Sequence, residues 1–336
     1  MISLESKLAF LRQPSSYADS VYRVEAIETH MSWVFLTDGH AYKLKKPVHY
    51  DLLDFSTVDA RHFFCEEEVR LNRRLAPDVY LDVVPLVINE QRHLALGGEG
   101  AVIDWLVRMR RVPASRMLDY MLKTRSAQAS DMQRVAALLA RFYRDCPPVA
   151  IDAAEYRQRF ERDIDHNCAV LATPAFRLPA RRIKRICAAQ QAWLGRNGAL
   201  LDARVEGHRI VEGHGDLRAE HVCLEDPPVI IDCLEFSREL RITDSADELS
   251  FLALECERLG NPALGDTLLR AHADLSGDMP HASLVRFYQS VRACVRARIA
   301  IFHLNEEQFR YSAEWPRRAM EYLQLAEQHA EAAHVL

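Results

Sequence analysis

The sequence predicts an α+β chain in two parts, an antiparallel sheet with one helix over residues 1–111 and a mainly helical remainder over residues 112–336. Three observations carry that expectation. Short β-prone runs separated by turn-sized gaps fill residues 21–110. After Val112-Pro113, apolar residues recur at three- and four-residue spacing, the period of a half-buried helix. A length of 336 residues exceeds one ordinary core, so two subdomains are expected.

Residues 1–12 form a short amphipathic stretch with charges inside it, unlike the apolar core of a leader peptide. Val21-Tyr-Arg-Val-Glu-Ala-Ile27, Ser32-Trp-Val-Phe-Leu36 and His40-Ala-Tyr-Lys-Leu44 read as strands. Ser56 is the expected N-cap of a helix that runs to about Leu75 and is stopped by Ala76-Pro77. Strand character returns at 80–88, 92–96 and 102–109, with Gly97-Gly98 as a turn. Helices are then expected at 116–123, 131–144, 154–171 and 180–201. Residues 208–231 interrupt them with brief strand-like pieces, and the helical pattern resumes at 244–259, 262–273, 282–304 and 315–332. Asp244 and Asp247 suit a helix first turn, where acids satisfy free amides and the helix dipole. No internal repeat or low-complexity linker is present, and the two parts are expected to meet near residues 110–114.

A content of 49% hydrophobic and 27% charged residues is that of a soluble globular protein, and the formal net charge of −5 argues against a general nucleic-acid binder. No apolar run approaches the length of a membrane span. The eight cysteines are scattered without a CxxC pair and fall mostly in apolar patterns. Buried reduced thiols, and with them the cytoplasm, are the expectation.

The most informative run is His214-Gly-Asp-Leu-Arg-Ala-Glu-His221, followed by Ile230-Ile-Asp-Cys-Leu-Glu-Phe236. An H-x-D triplet alone also occurs in turns and helix caps. With an Asp at the end of a following apolar run, however, it has the parts that phosphoryl transfer to a hydroxyl requires. Such transfer asks for a carboxylate beside the acceptor and for carboxylates on the divalent cations that neutralise the phosphates. Asp216 stands where the base would be and Asp232 where a metal carboxylate would be. His221 stands where an amide is usual, and a neutral imidazole is a poorer Mg²⁺ donor than oxygen. It either hydrogen-bonds Asp216 or leaves one cation site weaker. Glu235 is either a second metal carboxylate or a solvent-facing acid. The His and Asp residues alone would also serve a metal-dependent hydrolase.

A nucleotide phosphate tail further calls for a strand lysine oriented by a helical carboxylate. Lys43 ends a β-prone run and Glu68 lies on the next helix, with Lys45, Lys46, Glu66 and Glu67 as competitors. The turn Glu28-Thr-His-Met-Ser32 has no glycine. It is a plain hairpin turn, or one in which Thr29, His30 and the Ser32 hydroxyl stand in for a glycine-rich phosphate loop. No G-x-x-x-x-G-K-[ST] run occurs. Arg292 and Arg296 fall one helical turn apart, either lining an anionic pocket or paired with acids.

Together with Ala41-Tyr-Lys-Leu-Lys-Lys-Pro47, Ile242-Thr-Asp-Ser-Ala-Asp-Glu-Leu249, Leu71-Asn-Arg-Arg-Leu-Ala-Pro77 and Val107-Arg-Met-Arg-Arg111, these motifs resemble the aminoglycoside phosphotransferase-like family of the protein-kinase-like fold. The resemblance spans roughly residues 21–304 and is greatest to a bacterial branch in which some members carry a carboxy-terminal P-loop ATPase. It implies a two-lobe fold and, in this chain, a stand-alone kinase-like protein. It further implies ATP and Mg²⁺ as cofactors, and transfer of the γ-phosphate to a hydroxyl of a small-molecule acceptor. By the same resemblance Asp216 is the base, Asp232 a metal ligand with His221 at the second cation, and Lys43 the phosphate lysine paired with Glu68. Residues 109–112 become the hinge, with the backbone of Met109 and Arg111 meeting adenine. Alternatives are a weak or inactive relative that binds nucleotide as a scaffold, and an enzyme that modifies a protein. Neither nucleic acid nor membrane is an expected partner, and the oligomeric state is open.

Overall fold

The computed structural model describes residues 2–18, 20–50, 53–305 and 310–335. Helix α1 (Leu4–Leu11) is capped by Ser3, whose side chain accepts the Ser6 N–H. Strands β1 (Glu25–Glu28), β2 (Ser32–Leu36), β3 (His40–Lys45), β4 (His49–Tyr50) and β5 (Leu53–Asp54) precede helix α2 (Val58–Asn72). Strands β6 (Tyr80–Ile88), β7 (Leu94–Leu96) and β8 (Ala101–Arg110) follow it. Helices α3 (Leu118–Lys123), α4 (Ala129–Asp145), α5 (Ala153–Leu171) and α6 (Ala180–Glu206) lead to β9 (Ile210–Glu212) and the hairpin β10 (Val222–Cys223) and β11 (Val229–Ile230). The chain ends with α7 (Arg238–Arg241), β12 (Ile242–Asp244), α8 (Ser245–Arg258), α9 (Pro262–Ser276), α10 (Ala282–Phe302) and α11 (Glu314–Val335).

This is the predicted order of strands, one helix, strands and helices, with a shift at one cap. Thr57, not Ser56, caps α2 by accepting the Ala60 N–H at 3.1 Å. Ser56 is held outside the helix because its own N–H is taken by Asp54 Oδ1 at 2.9 Å, a local turn that competes with helical geometry.

Two compact units emerge, Met1–Met117 with His221–Leu240, and Leu118–Glu220 with Arg241–Leu336. The division expected from sequence put residues 112–336 together; the structure instead returns 221–240 to the sheet-bearing unit. Packing is the reason. Cys223 and Val229 of the β10–β11 hairpin enter the same apolar core as Ala41, Cys65, Val69 and Val107.

In the first unit a six-stranded antiparallel sheet runs β1-β2-β3-β8-β6-β7. Side chains alternate across it. On β3, Tyr42 and Leu44 join the core that includes Leu8 and Leu11 of α1, while Ala41 joins the core that includes Cys65 and Val69 of α2. Lys43 and Lys45, in step with Ala41, therefore face α2. That helix is fixed by Arg61, whose guanidinium donates to both oxygens of Asp104 at 2.7 and 3.1 Å, with Lys7 on the same carboxylate at 2.7 Å.

The second unit is built on a core of α5, α6, α8, α10 and α11 side chains, among them Phe160, Trp193, Phe251, Phe287 and Tyr322. Strand β9 pairs antiparallel with β12 and delivers the chain to His214. Asp244 caps α8 by accepting the Ala246 N–H, and Arg204 grips the same carboxylate with two bonds of 2.8 Å. Among the described residues no helix is long and apolar enough to cross a membrane.

Candidate active site

Lys43 Nζ donates to Glu68 Oε1 at 2.9 Å and to Asp232 Oδ1 at 2.7 Å, so the strand lysine, the helical acid and the loop acid form one ion-paired row. A second lysine shares that acid. Lys45 donates to Glu68 Oε2 at 2.5 Å and also to Glu235, and the Lys45 and Glu68 side chains have no exposed surface. Burial works against charge on both lysines, yet the surrounding carboxylates outweigh it and hold both well above the usual lysine range. Burial likewise opposes ionisation of Glu68, but Lys43 and Lys45 prevail and its carboxyl sits below its ordinary value. Glu235 is a buried counter-ion of Lys45, which removes the solvent-facing one of its two alternatives.

Asp232 is presented by a strained backbone, with φ at +62°, a region Asp tolerates better than most residues. Two bonds hold it there. Its N–H donates to the Tyr80 hydroxyl at 3.0 Å, and the next N–H, of Cys233, donates to Asn72 Oδ1 at 2.8 Å. The Asp232 side chain keeps 46% of its surface exposed, and His221 Nε2 stands 3.5 Å from its Oδ2. Among the described residues no group of three or more His, Cys, Asp or Glu is placed to cage a metal ion. A lone carboxylate does fit Mg²⁺, which takes few protein donors and completes its shell with water and phosphate oxygens.

The His214 loop in the second unit is built differently. Glu248, in the first turn of α8 and fully buried, accepts the His214 N–H at 3.0 Å, the Gly215 N–H at 2.5 Å and the Tyr143 hydroxyl at 2.9 Å. Burial raises its pKa against the pull of those three donors. Gly213 is required beside it, because a Cβ there would stand 2.3 Å from Glu248 Oε2, and Gly215 turns the loop at φ +88°. Asp216 is 22% exposed at its side chain, with Arg218 Nε 3.0 Å from one carboxylate oxygen and Arg296 Nη1 3.9 Å from the other. Arg218 also holds Glu220 at 2.9 Å; burial opposes its charge, but Asp216 and Glu220 outweigh it and raise its pKa. Of the arginine pair on α10, Arg292 is matched by Asp247 with bonds of 2.8 and 2.6 Å, and Arg296 is the one beside Asp216.

The remaining nucleotide candidates are placed less openly. Ser32 is 2% exposed and closes the turn, accepting the Thr29 N–H on its carbonyl while its own N–H goes to Thr29 Oγ1. Glu28, Thr29 and His30 are the exposed members of that turn. Met109 is buried in the sheet core and paired with Ala41 and Tyr80. The Arg111 N–H is donated to Gly39 O at 2.9 Å and its guanidinium to Thr37 O at 2.7 Å. That N–H is thus already engaged within the first unit.

Sequence reasoning named Lys45 only as a competitor of Lys43, and gave Glu248, Tyr80 and Asn72 no role of their own. Strand alternation carried a signal for Lys45, two residues from Lys43 on the same face. For Glu248 the signal was its place in a first turn; for Tyr80 and Asn72 there was none nearby in sequence.

No family model matches the chain. Uncharacterised proteins of Mycobacterium bovis and Mycobacterium tuberculosis are 33% identical over 315 residues, covering 93% of this chain and 61% of theirs. The chain thus spans about three fifths of the length of the curated relatives it matches. Among solved structures, choline kinase from Cryptosporidium parvum aligns with a TM-score of 0.56 at 11% identity, over 97% of this chain and 95% of that one. A choline/ethanolamine kinase family protein from Mesorhizobium loti gives 0.53 at 16% identity over 99% of each chain. The AMP-bound complex of spectinomycin phosphotransferase gives 0.51 at 10% identity, over 97% and 98%. The chain has the protein-kinase-like fold, in the form shared by these choline, ethanolamine and aminoglycoside kinases.

Proposed function

We propose that this protein is an ATP- and Mg²⁺-dependent phosphotransferase that moves the γ-phosphate to a hydroxyl of a small molecule. The observation that carries the reading is the ion-paired row of Lys43, Glu68 and Asp232. A lysine kept charged by two carboxylates is suited to meet nucleotide phosphates, and Glu68, braced from behind by Lys45, fixes its direction. Asp232 would hold Mg²⁺, with His221 beside it. The ion would supply positive charge against the charge that develops on the phosphates. Asp216 would take the proton of the acceptor hydroxyl as its oxygen bonds to the γ-phosphorus and the bond to the bridging oxygen breaks, releasing ADP. Arg218 and Arg296, flanking Asp216, favour an acceptor that carries negative charge over a polycationic one. Free thiols in all eight described cysteines support a cytoplasmic setting, and the net charge of −5 gives no support to a nucleic-acid partner.

Transfer from labelled ATP to a panel of sugar phosphates, sugars, nucleosides and aminoglycosides tests this. Asp216→Asn should lower kcat by about 10²–10⁴-fold with nucleotide affinity kept; full activity in that variant would overturn the role of Asp216. A second reading, a nucleotide-binding protein without turnover, is favoured by the engaged Arg111 N–H and the glycine-free turn at 28–32. ATP binding that is indifferent to Mg²⁺ and yields no product across the panel is its signature.

A further inference from the structure

Between α4 and α9, and bordered by β9, the second unit holds an open-sided cavity of about 380 Å³ that none of the candidate active-site residues lines. Its wall is cationic. Arg141, Arg144 and Arg209 contribute to it; Arg144 lies 3.3 Å from Asp145, Arg209 lies 3.9 Å from Asp278, and Asp278, the one lining acid, is engaged by Arg204 at both oxygens. His208 sits there with φ at +57°, a conformation uncommon outside glycine.

The floor holds an unmet polar atom. His272 is 4% exposed, and its Nε2 is buried without a hydrogen-bond partner among the described residues. The tautomer follows from its neighbour. Ser276 Oγ donates its one hydrogen to the His272 carbonyl at 2.7 Å and accepts the Asp278 N–H at 3.2 Å, so Nδ1, 3.3 Å away, is the donor in the pair. His272 belongs to the cavity wall, and Nε2, then a bare buried acceptor, calls for a donor. Arginines around an acceptor select a ligand that is anionic and carries a hydroxyl.

We propose that this cavity is a regulatory site for a small hydroxylated anion, of the sugar phosphate, polyol phosphate or hydroxy-acid class. Its negative group meets Arg141, Arg144 and Arg209, and its hydroxyl donates to His272 Nε2. The site is wired to the His214 loop. Tyr143 lines the cavity and donates to Glu248, the carboxylate that receives the His214 and Gly215 N–H groups; Val211, also in the wall, lies on the strand leading to that loop. A ligand that holds Tyr143 and β9 in place steadies the loop carrying Asp216. Binding is independent of the phosphotransferase reading; only an effect on turnover rests on it.

Calorimetric titration of the full chain with sn-glycerol 3-phosphate, and with 1-propyl phosphate as the anion lacking hydroxyls, tests the site. Arg141→Glu and Arg209→Glu alter side chains at its open rim. Glycerol 3-phosphate should bind saturably to the wild type and slow amide exchange at His214 and Gly215. Affinity should fall by roughly tenfold or more for propyl phosphate and in both variants. The proposal is overturned by no saturable binding, by variants that bind as the wild type does, as they would if the probe sat beside Asp216, by displacement with ATP, or by unchanged exchange at the two amides.

Discussion

Lys45 and Glu68 are both shut off from solvent, and a buried ion pair matters chiefly for what remains when one member is removed. Lys45→Met withdraws an ammonium from two carboxylates, Glu68 and Glu235, and should cost about 3–5 kcal/mol, read as a lower urea midpoint at unchanged slope. His272 supplies a pH signature. Burial first, with Arg204 and Arg209 adding to it against Asp278, pushes its pKa down to about 4 from 6.5. The folded state thus disfavours the imidazolium, so this contribution is complete above 6.5 and is lost as pH falls towards 4. Replacing it, as in His272→Gln, should flatten the fall in urea midpoint over that interval relative to the wild type. At this scale the sequence was partly legible. Lys43 and Glu68 could be paired because their order along the chain followed a known plan. Glu235 could not be matched to Lys45, because a charge shows no partner until the sheet and loop are folded together.

Helix α8 does more than end the loop before it. Its first turn offers Asp244 as cap, Asp247 to Arg292 and Glu248 to the backbone of His214 and Gly215. The contact with Glu248 leaves no room for a side chain at Gly213. Gly213→Ala should destabilise by about 1–3 kcal/mol through overpacking, and denaturation curves will show it. Most helices were legible from apolar spacing, which reports the buried stripe directly. Glu248 was not, since a buried acid on that stripe reads as a break in the pattern until the backbone amides it serves are in view. The cap of α2 moved by one residue for the same reason, as Asp54 captured Ser56 locally.

Across the whole molecule, none of the eight cysteines is in a disulfide; six are buried, and Cys146 and Cys168 are half-buried. Burial pushes the thiols of Cys65, Cys256 and Cys294 up to about 12, so none of these offers thiolate at neutral pH. Ellman's reagent should react promptly with no more than the two half-buried thiols of the native protein, and with all eight after denaturation without reductant. The order of elements was legible because each is a local pattern. The return of 221–240 to the first unit was not, because it depends on Cys223 and Val229 finding a core whose other members lie far away in sequence.

That return sets a timetable for the nascent chain. When Met117 has been polymerised, the sheet and α2 are complete in sequence, but their apolar underside still lacks the hairpin that covers Ala41, Cys65 and Val107. All of 118–220 must be translated first, a wait of about 5–20 s at ordinary elongation rates. A chain cut at Met117 should therefore be sticky and fold poorly, while one that runs through Leu240 has every strand its first unit needs. Birth order, and not only final packing, thus decides how long this apolar face stays uncovered during synthesis.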